Sequence, residues 1–387
     1  MRGILSAHRN VLDDLAHRIS QKEMVQGEEL RKLLPKPAAE RAVALPGQHD
    51  ESRAFMKYIG HLPQKDQLYG YLRYDILPQL GINGIVPDFR VYSVPASNHV
   101  YVYEDQRSGT RLIGKFFGGI SNRAPETAFR RMEREFNNLL HLRSIGFTGY
   151  PHNVARPLGL NGSLDCVLVE EFCYGTPLTD FILKAIWEGA RDALFQKLTA
   201  LAYFLATVHN RTATGDRVDL NRDCSYFDRI IDQLKNWRHI GWDEAQEFYW
   251  LKDRWREKGF MWEDNQVLVH GDMTPTNVLF GDGLWVIAID LERMKLADRV
   301  FDLGRVVGEI KHFFMQHTGD GRLAEPFIGH FLWEYACHFP DRNSTFASIT
   351  RRVPFHMGLT LLRVARNSWI DGKYRRQLLD EAKKILR

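Results

Sequence analysis

Three polar residues within one short stretch have the types and the spacing that phosphoryl transfer to an alcohol requires. Asp272 lies five positions before Asn277, and Asp290 follows thirteen positions later, at the end of an apolar run. Such a reaction needs a carboxylate that orients the hydroxyl and accepts its proton, and oxygen ligands that hold Mg²⁺ against a triphosphate. A loop with Asp272 and Asn277 that faces a segment ending at Asp290 would supply both functions from one rigid unit.

The sequence around these residues predicts how they are positioned. Residues 278–280 and 285–289 are rich in β-forming side chains, and the turn sequence Gly-Asp-Gly lies between them, so we expect a β-hairpin. An Asp or Asn inside a loop often only caps backbone groups. The two spacings, together with the flanking apolar strands, favour a reactive site over this alternative.

The pattern H-G-D-x-x-x-x-N that begins at His270, followed by I-D-x-E, resembles the catalytic core of aminoglycoside phosphotransferases, choline kinases and their relatives. The resemblance implies that Asp272 is the catalytic base and that Asn277 and Asp290 are Mg²⁺ ligands. It places Glu292 where the family often has a second acid, which would reach the metal or the substrate. ATP and Mg²⁺ are therefore the expected cofactors.

Two further segments match the same family. Residues 298–304 resemble its D-x-x-x-D-L segment, whose second acid, here Asp302, usually braces the catalytic loop. Residues 201–209 resemble its central helix, and we expect His209 at the end of this helix to pack or to cap rather than to catalyse. With the upstream elements, the resemblance extends from about residue 88 to the C-terminus.

A lysine in the β-rich region is the expected nucleotide contact. Lys115 lies in an apolar predicted strand, on the face that Ile113 and Phe117 share. A lysine that points inward from a strand is costly unless it is paired, and by the family pattern its partner is Glu135 on the following helix, in preference to Glu133. The alternatives are a lysine on an exposed edge strand and a solvated glutamate.

Two loops are expected to complete the nucleotide site. Residues 168–175 resemble the hinge between the two lobes, where backbone groups bind adenine, so Glu171 and Phe172 are predicted contacts. The alternative for this segment is an edge strand followed by a turn. The loop 95–99 has no glycine, whereas protein kinases have a Gly-rich loop over the phosphates. Ser97 and Asn98 are the predicted phosphate contacts there.

The order of the elements and the resemblance together predict an α+β, two-lobed protein-kinase-like fold. Residues 1–87 are expected to form a helical N-terminal extension with a linker, including a helical region at about 52–80. Residues 88–174 would form the nucleotide-binding N-lobe around a small antiparallel β-sheet. Residues 175–387 would form the catalytic and substrate-binding C-lobe, which is mainly helical and begins with a long helix at about 185–208.

Charge and composition exclude several other classes of function. The net charge of +4 is small for 387 residues and no basic stripe stands out, so nucleic acid is not an expected partner. No apolar run approaches the length of a bilayer span and the first residues do not form a signal-peptide core, so we expect no membrane association. Four scattered cysteines without a C-x-x-C pair indicate reduced thiols and a cytoplasmic protein.

The expected phosphate acceptor is a hydroxyl of a small molecule. Protein kinases have Arg where Gly271 stands and D-F-G where residues 290–292 read D-L-E, and no activation segment ending in A-P-E follows residue 290. A sugar, an amino alcohol and an antibiotic-like compound are all compatible with this difference. The alternatives are a nucleotide-binding pseudokinase and an atypical protein-directed kinase, either of which would act through the N-terminal extension.

Charge and aromatic content bear on the class of acceptor. The balanced charge of the C-terminal half does not support a polycationic aminoglycoside. A quaternary amine would need a cage of aromatic side chains. The residues that could supply one are Phe313, Phe314, Trp333, Tyr335 and Trp369.

Overall fold

The computed structural model describes residues 56–94, 99–118 and 125–387. The predicted phosphate contacts Ser97 and Asn98 lie outside the described residues, as does most of the predicted N-terminal extension. The described strands are β1 (Lys57–His61), β2 (Phe89–Val94), β3 (His99–Asp105), β4 (Arg111–Phe116), β5 (Thr148–Gly149), β6 (His152–Val154), β7 (Pro157–Asn161), β8 (Val167–Glu171), β9 (Thr176–Pro177), β10 (Val267–Val269), β11 (Val278–Phe280), β12 (Val286–Ala288) and β13 (Lys295–Ala297).

Helices make up most of the remaining described chain. They are α1 (Gln67–Tyr71), α2 (Pro125–Ser144), α3 (Leu178–Trp187), α4 (Arg191–Arg211), α5 (Leu220–Asn236), α6 (Trp242–Arg256), α7 (Val300–Thr318), α8 (Glu325–Ala336), α9 (Arg342–Thr350), α10 (Val353–Ala365) and α11 (Gly372–Leu386). None of the helices in the described ranges combines the length and the apolar composition that crossing a membrane demands. Together with the strands, they give the predicted α+β class.

The N-lobe is built on one antiparallel sheet with the strand order β1-β2-β3-β4-β8-β7. Aromatic and β-branched side chains dominate its central strands, because such side chains pack well on a pleated surface. In the register of β4 and β8, Lys115 lies opposite Leu168 and Ile113 lies opposite Glu170. Helix α2 packs against this sheet, and the small antiparallel sheet predicted for the N-lobe is present.

The region predicted to be helical at about 52–80 also contributes a strand. Lys57–His61 pairs with β2 at the edge of the sheet, and only then does the chain form α1, a wider π-helical turn over Leu72–Ile76 and a tighter 3₁₀ turn that ends at Leu80. Four of the five residues of this strand are exposed, so it has no apolar alternation by which the sequence would reveal it. Leu72 and Ile76 share a hydrophobic cluster with Phe89, so the predicted division after residue 87 falls between elements that pack together.

The C-lobe is a set of helices around two small sheets. Helix α10 packs against α7 and α11, and α4 packs against α8. The helix predicted at 185–208 is two helices, because the chain turns at Gly189, whose φ of +72° suits glycine better than other residues. The predicted hairpin is present, since β11 and β12 pair antiparallel and β12 lies beside β6 in a five-stranded sheet.

Candidate active site

The backbone at the start of the catalytic loop, residues 270–277, is hydrogen-bonded to one buried carboxylate. Asp302 accepts hydrogen bonds from the backbone N–H groups of His270 at 2.7 Å and Gly271 at 3.0 Å. Burial alone would raise the pKa of Asp302, but hydrogen bonding from His209 and the nearby His270 hold it below its ordinary value. Asp302 is therefore ionised and fixes the loop, which is the supporting position that the sequence indicates.

His209 is a packing residue in this structure. Its ring is fully buried, with Nε2 3.5 Å from Asp302 and Nδ1 2.8 Å from the hydroxyl of Tyr335. Burial lowers its pKa, although Asp302 opposes this effect. Both ring nitrogens are thus engaged inside the core, which agrees with the structural position expected for this histidine.

Gly271 is required by the geometry of the loop. Its φ is +80°, and a β-carbon at this position would overlap with the backbone carbonyl oxygen of Arg293. An L-residue with a side chain is strained at such a φ even where space is available. The residue type at this position therefore follows from the close approach of the 290–294 turn to the catalytic loop.

We expect Gly271→Ala to lower the free energy of unfolding by at least about 3 kcal/mol, because strain at positive φ adds to the overlap with the Arg293 carbonyl. Gly319→Ala is the matched control, since Gly319 has a φ of +76° and no atom near the added β-carbon. It should lose only about 1–2 kcal/mol. Urea denaturation of both variants measures the difference, and equal losses would contradict the overlap.

Asp272 is a buried carboxylate that remains charged. It is 7% exposed, its Oδ1 accepts a hydrogen bond from Arg363 at 2.9 Å, and its Oδ2 lies 3.5 Å from Arg293. Burial alone would raise the pKa of Asp272, but Arg363, Arg293 and Arg305 hold it below its ordinary value. At neutral pH this carboxylate is ionised, as a proton acceptor in general-base chemistry must be.

The hairpin brings Asn277 and Asp290 to the same end of the loop as Asp272. The amide nitrogen of Asn277 donates to the backbone oxygen of Asp272 at 2.9 Å, and Ile289 N–H donates to the backbone oxygen of Asn277 at 3.1 Å. Asp290 follows with φ of 64° and ψ of 61°, a left-handed conformation that turns the chain sharply out of the strand. The structure thus gathers the three residues that the spacing singles out.

Asn277 and Asp290 fit a cation that arrives with a phosphate. Because the nitrogen of the Asn277 side chain is held by Asp272, its amide oxygen is oriented away from that bond. Mg²⁺ is usually bound by one or two protein oxygens together with substrate phosphates and water. Among the described residues, no group of three or more acidic, His or Cys side chains forms a metal cage by itself. The donor set therefore suits Mg²⁺ bound to a nucleotide.

Lys115 is held between two buried acids. Its Nζ lies 2.5 Å from Glu135 and 3.1 Å from Glu170, while Glu133 is exposed. Although burial alone would lower the pKa of Lys115, the two carboxylates raise it above its ordinary value. Burial raises the pKa of Glu135, against the effect of Lys115. Lys115 is therefore neither on an exposed edge nor unpaired, and the role of the pair towards a nucleotide stays a prediction.

Glu292 is engaged by protein cations. Its Oε2 accepts a hydrogen bond from Arg131 of α2 at 2.6 Å, and its Oε1 lies 3.5 Å from Arg293. A second contact also joins α2 to this turn. The side chain of Asn138 donates a hydrogen bond to the backbone oxygen of Leu291 at 2.7 Å. Glu292 therefore ties the N-lobe helix to the turn after Asp290, and its role towards a metal or a substrate stays a prediction.

The segment after β8 connects the sheets of the two lobes, as the hinge interpretation requires. Glu171 ends β8, and the chain next pairs with β11 through β9. Phe172 packs edge-on against Tyr174 with ring centroids 4.9 Å apart, and the guanidinium of Arg111 lies 5.5 Å from the Phe172 ring. These contacts fix the connection, while adenine binding by Glu171 and Phe172 stays a prediction.

Sequence reasoning missed several residues of the site, namely Glu170, Arg293, Arg305 and Arg363. A signal for Arg363 exists, since it is the only Lys, Arg, Asp or Glu in the otherwise apolar α10. Helix α7 similarly carries Arg305 among buried residues. A charged side chain inside a buried helix must be paired or functional, but the sequence does not reveal that both helices converge on Asp272.

Comparisons with known proteins agree with this architecture. The sequence profile of the phosphotransferase enzyme family matches residues 88–338, whereas no protein with a curated function matches the chain by sequence. The choline kinase from Cryptosporidium parvum Iowa II is similar in structure, with a TM-score of 0.57, 13% identity, and coverage of 82% of this chain and 94% of that one.

Two other solved structures are similar to this chain. The Plasmodium vivax ethanolamine kinase has a TM-score of 0.52 at 14% identity and covers 76% of this chain and 81% of its own. The GDP complex of an aminoglycoside 2'-phosphotransferase has a TM-score of 0.50 at 14% identity, and the alignment covers 82% of this chain and 99% of that one. These likenesses confirm the protein-kinase-like fold. With the family profile covering well over half of its length, the chain belongs to the phosphotransferase enzyme family.

Proposed function

We propose that this protein is a small-molecule kinase that transfers the γ-phosphoryl group of ATP to an alcohol. The observation that carries the proposal is the meeting of Asp272, Asn277 and Asp290 at one end of the catalytic loop and hairpin. Phosphoryl transfer depends mainly on positioning and on electrostatic stabilisation, so a rigid unit with these three groups is well suited to it. The occupied catalytic positions argue against a pseudokinase.

Each residue has a defined task in this reaction. Asp272, kept ionised by Arg363 and Arg293, accepts the hydrogen bond of the acceptor hydroxyl and takes its proton as the oxygen attacks phosphorus. Lys115, oriented by Glu135, holds the phosphates of ATP. Asn277 and Asp290 would hold Mg²⁺, which would supply positive charge to the phosphate oxygens.

A reducing, cytoplasmic location is part of the proposal. ATP is the phosphoryl donor, and cytosolic proteins keep their cysteines reduced. All four cysteines lie within the described residues and carry free thiols. This state supports the location, which fractionation of the native host cells would test.

The Asp290→Asn variant tests the proposal with little disturbance of the fold. Asn adopts the left-handed conformation of Asp290 readily, so the substitution removes the charge and keeps the backbone. We expect the apparent affinity for MgATP to fall at least about tenfold, because even an outer-shell change near a metal costs 10–100-fold. Thermal-shift titrations with ATP, with and without Mg²⁺, and ADP release with a panel of alcohols are the measurements.

Asp282→Asn at the other end of the hairpin is the matched control. Asp282 is exposed at the turn and should leave the response to MgATP unchanged. Wild-type protein that shows no stabilisation by MgATP and no phosphoryl transfer would contradict the proposed function. Equal MgATP affinities of wild type and Asp290→Asn would contradict the assignment of Asp290.

A further inference from the structure

Four arginines converge on the carboxylate of Asp272. Arg293 follows the hairpin, Arg305 lies on α7, Arg363 lies near the end of α10, and Arg366 follows that helix. We call these four residues the arginine cluster. They come from three separate parts of the C-lobe, so their convergence is a property of the fold and not of one basic segment.

The contacts of the cluster account for some of its positive charge. Arg363 bridges the two nearby carboxylates, with 2.9 Å to Asp272 and 3.0 Å to Glu309. Arg293 is shared between Asp272 and Glu292 at 3.5 Å each. Arg366 donates to the neutral side chain of Gln233, outside this pair of acids.

Arg305 is the residue of the cluster whose hydrogen-bonding groups are only partly used. It is 3% exposed, and its Nε and Nη1 have no hydrogen-bond partner among the described residues. Burial and the neighbouring Arg363 lower its pKa, although Tyr226 and Asp272 oppose this effect. A guanidinium with unpaired N–H groups away from water is costly, so its position calls for an anionic partner.

The cluster carries excess positive charge at a place that solvent can reach. In the described part of the chain, Asp272 and Glu309 are the acids that act on Arg305, Arg363 contacts the same two acids, and Arg366 adds a third positive charge near Asp272. Burial raises the pKa of Glu309. The side chains of Arg363 and Arg293 are 16% and 47% exposed. A ligand can therefore approach from the Arg293 side.

Tyr226 on α5 marks the point where the arginines meet. Burial alone would raise its pKa, but Arg305, Arg363 and Arg366 hold it below its ordinary value. Arg305 lies near enough to its phenol to contribute to this lowering of the pKa, and the guanidinium of Arg229 lies 5.6 Å from its ring. The surroundings of Asp272 on this side thus favour negative charge.

Cationic acceptors do not fit these surroundings. Of the aromatic residues that could cage a quaternary amine, Tyr335 is fully buried against His209, Trp333 packs edge-on against Phe346, and Phe314 packs against Phe327. Trp369 is exposed. An ammonium group beside Asp272 would instead meet the arginine cluster, and like charges in contact cost several kcal/mol.

We propose that the phosphate acceptor is a small hydroxylated anion whose carboxylate or phosphate group pairs with Arg305 and its neighbours while its hydroxyl meets Asp272. This inference rests on the proposed kinase function. In the reaction the acceptor oxygen forms its bond to the γ-phosphorus, the bond from that phosphorus to the β–γ bridging oxygen breaks, the hydroxyl proton passes to Asp272, and ADP leaves. The anionic group of the acceptor takes no part in bond changes and sets only position and specificity.

Matched acceptors that differ in charge test the inference. Glycerol, glycerate and glycerol 3-phosphate form one series, and glucose, gluconate and glucose 6-phosphate form another, so that carboxylate and phosphate are separate arms. Choline, ethanolamine and gentamicin represent cations. At saturating MgATP we expect kcat/KM for at least one anion to exceed that of its neutral counterpart by about 30-fold or more, as a charge pair of 2 kcal/mol or more would give.

Arg305→Gln separates ligand recognition from structure. The KM of the Arg305→Gln enzyme for the preferred anion should rise about 30-fold or more, while its KM for MgATP should stay within about twofold of the wild-type value. The Arg305→Lys enzyme keeps the positive charge and should recover part of the lost affinity for the anion. Because Nε and Nη1 of Arg305 lack a hydrogen-bond partner among the described residues, the Arg305→Gln variant should melt no lower than wild type, whereas a structural arginine would lower the melting temperature. Arg254→Gln, at an exposed position on α6, is the control.

The outcomes distinguish the two levels of the proposal. Transfer to neutral or cationic acceptors at a rate equal to or above that for the anions would overturn the inference and leave the kinase function standing. The same conclusion follows if Arg305→Gln keeps the wild-type KM for an anionic acceptor. Absence of MgATP binding and of transfer in all charge classes would overturn the proposed function, and the inference with it.

Discussion

Replacing Asp272 with Asn is expected to reduce kcat by about 10²–10⁴-fold, the usual contribution of a general base, while MgATP binds almost as it does to the wild type. The substitution keeps the shape of the side chain and removes its ability to accept a proton. Arg363 retains Glu309 as a partner at 3.0 Å, so the variant does not leave that guanidinium without a carboxylate. Single-turnover transfer of the γ-phosphoryl group and an ATP titration measure the two effects separately.

Comparison with Asp290→Asn distinguishes the loss of the general base from the loss of a metal ligand. Both variants should lose turnover, but only Asp290→Asn should lose affinity for MgATP, because Asp290 is assigned to the metal and Asp272 to the acceptor. Asp282→Asn removes a carboxylate from the exposed hairpin turn and should change neither quantity. Full activity of Asp272→Asn would show that another group takes the proton.

The loop and hairpin could be predicted from the sequence because their information is local. The spacing of Asp272, Asn277 and Asp290 lies within nineteen residues, and the turn glycines and apolar strands that position them are in the same stretch. The pairing of Lys115 with Glu135, which lie twenty positions apart, could also be predicted, but for a different reason. A lysine inside an apolar strand needs a nearby acid, and the next helix carries one.

The parts that the sequence did not reveal depend on distant contacts. Arg363 meets Asp272 across 91 positions of the chain, and nothing local to either residue indicates the other. Glu170 stands in a strand that was assigned to the hinge, and its contact with Lys115 depends on the register of β4 and β8. Strand β1 is almost entirely exposed, so only its pairing with β2 defines it.

The cluster of Lys115, Glu135 and Glu170 shows how such a distant contact changes the energetics. Sequence reasoning supplies one acid for one lysine, whereas the folded protein places two buried acids around a single cation. Burial raises the pKa values of both Glu135 and Glu170. In the nucleotide-free protein, these acids therefore bind protons more tightly than in the unfolded chain, and stability falls as pH rises above the ordinary pKa of a glutamate.

Replacing Lys115 with Met should make the free energy of unfolding depend more strongly on pH. Without the cation, Glu135 and Glu170 face each other in the core, so we expect the free energy of unfolding to fall by about 3–5 kcal/mol at pH 8, the typical cost of breaking a buried pair. The loss should be smaller at pH 5.5, where the unfolded chain begins to share the protonated state of the folded acids. Urea denaturation at both pH values measures the difference, and MgATP binding should be lost at either.

A second substitution tests whether the carboxylate of Glu170 causes the loss of stability in Lys115→Met. Adding Glu170→Gln to Lys115→Met removes one of the two stranded carboxylates, so the double variant should recover part of the lost stability at pH 8 without recovering MgATP binding. Lys384→Met, at an exposed position on α11, should show neither the loss nor its pH dependence. If Lys115→Met lost equal stability at both pH values, or if Glu170→Gln deepened the loss, Lys115 would be stabilising the fold through its packing and not by compensating two buried acids.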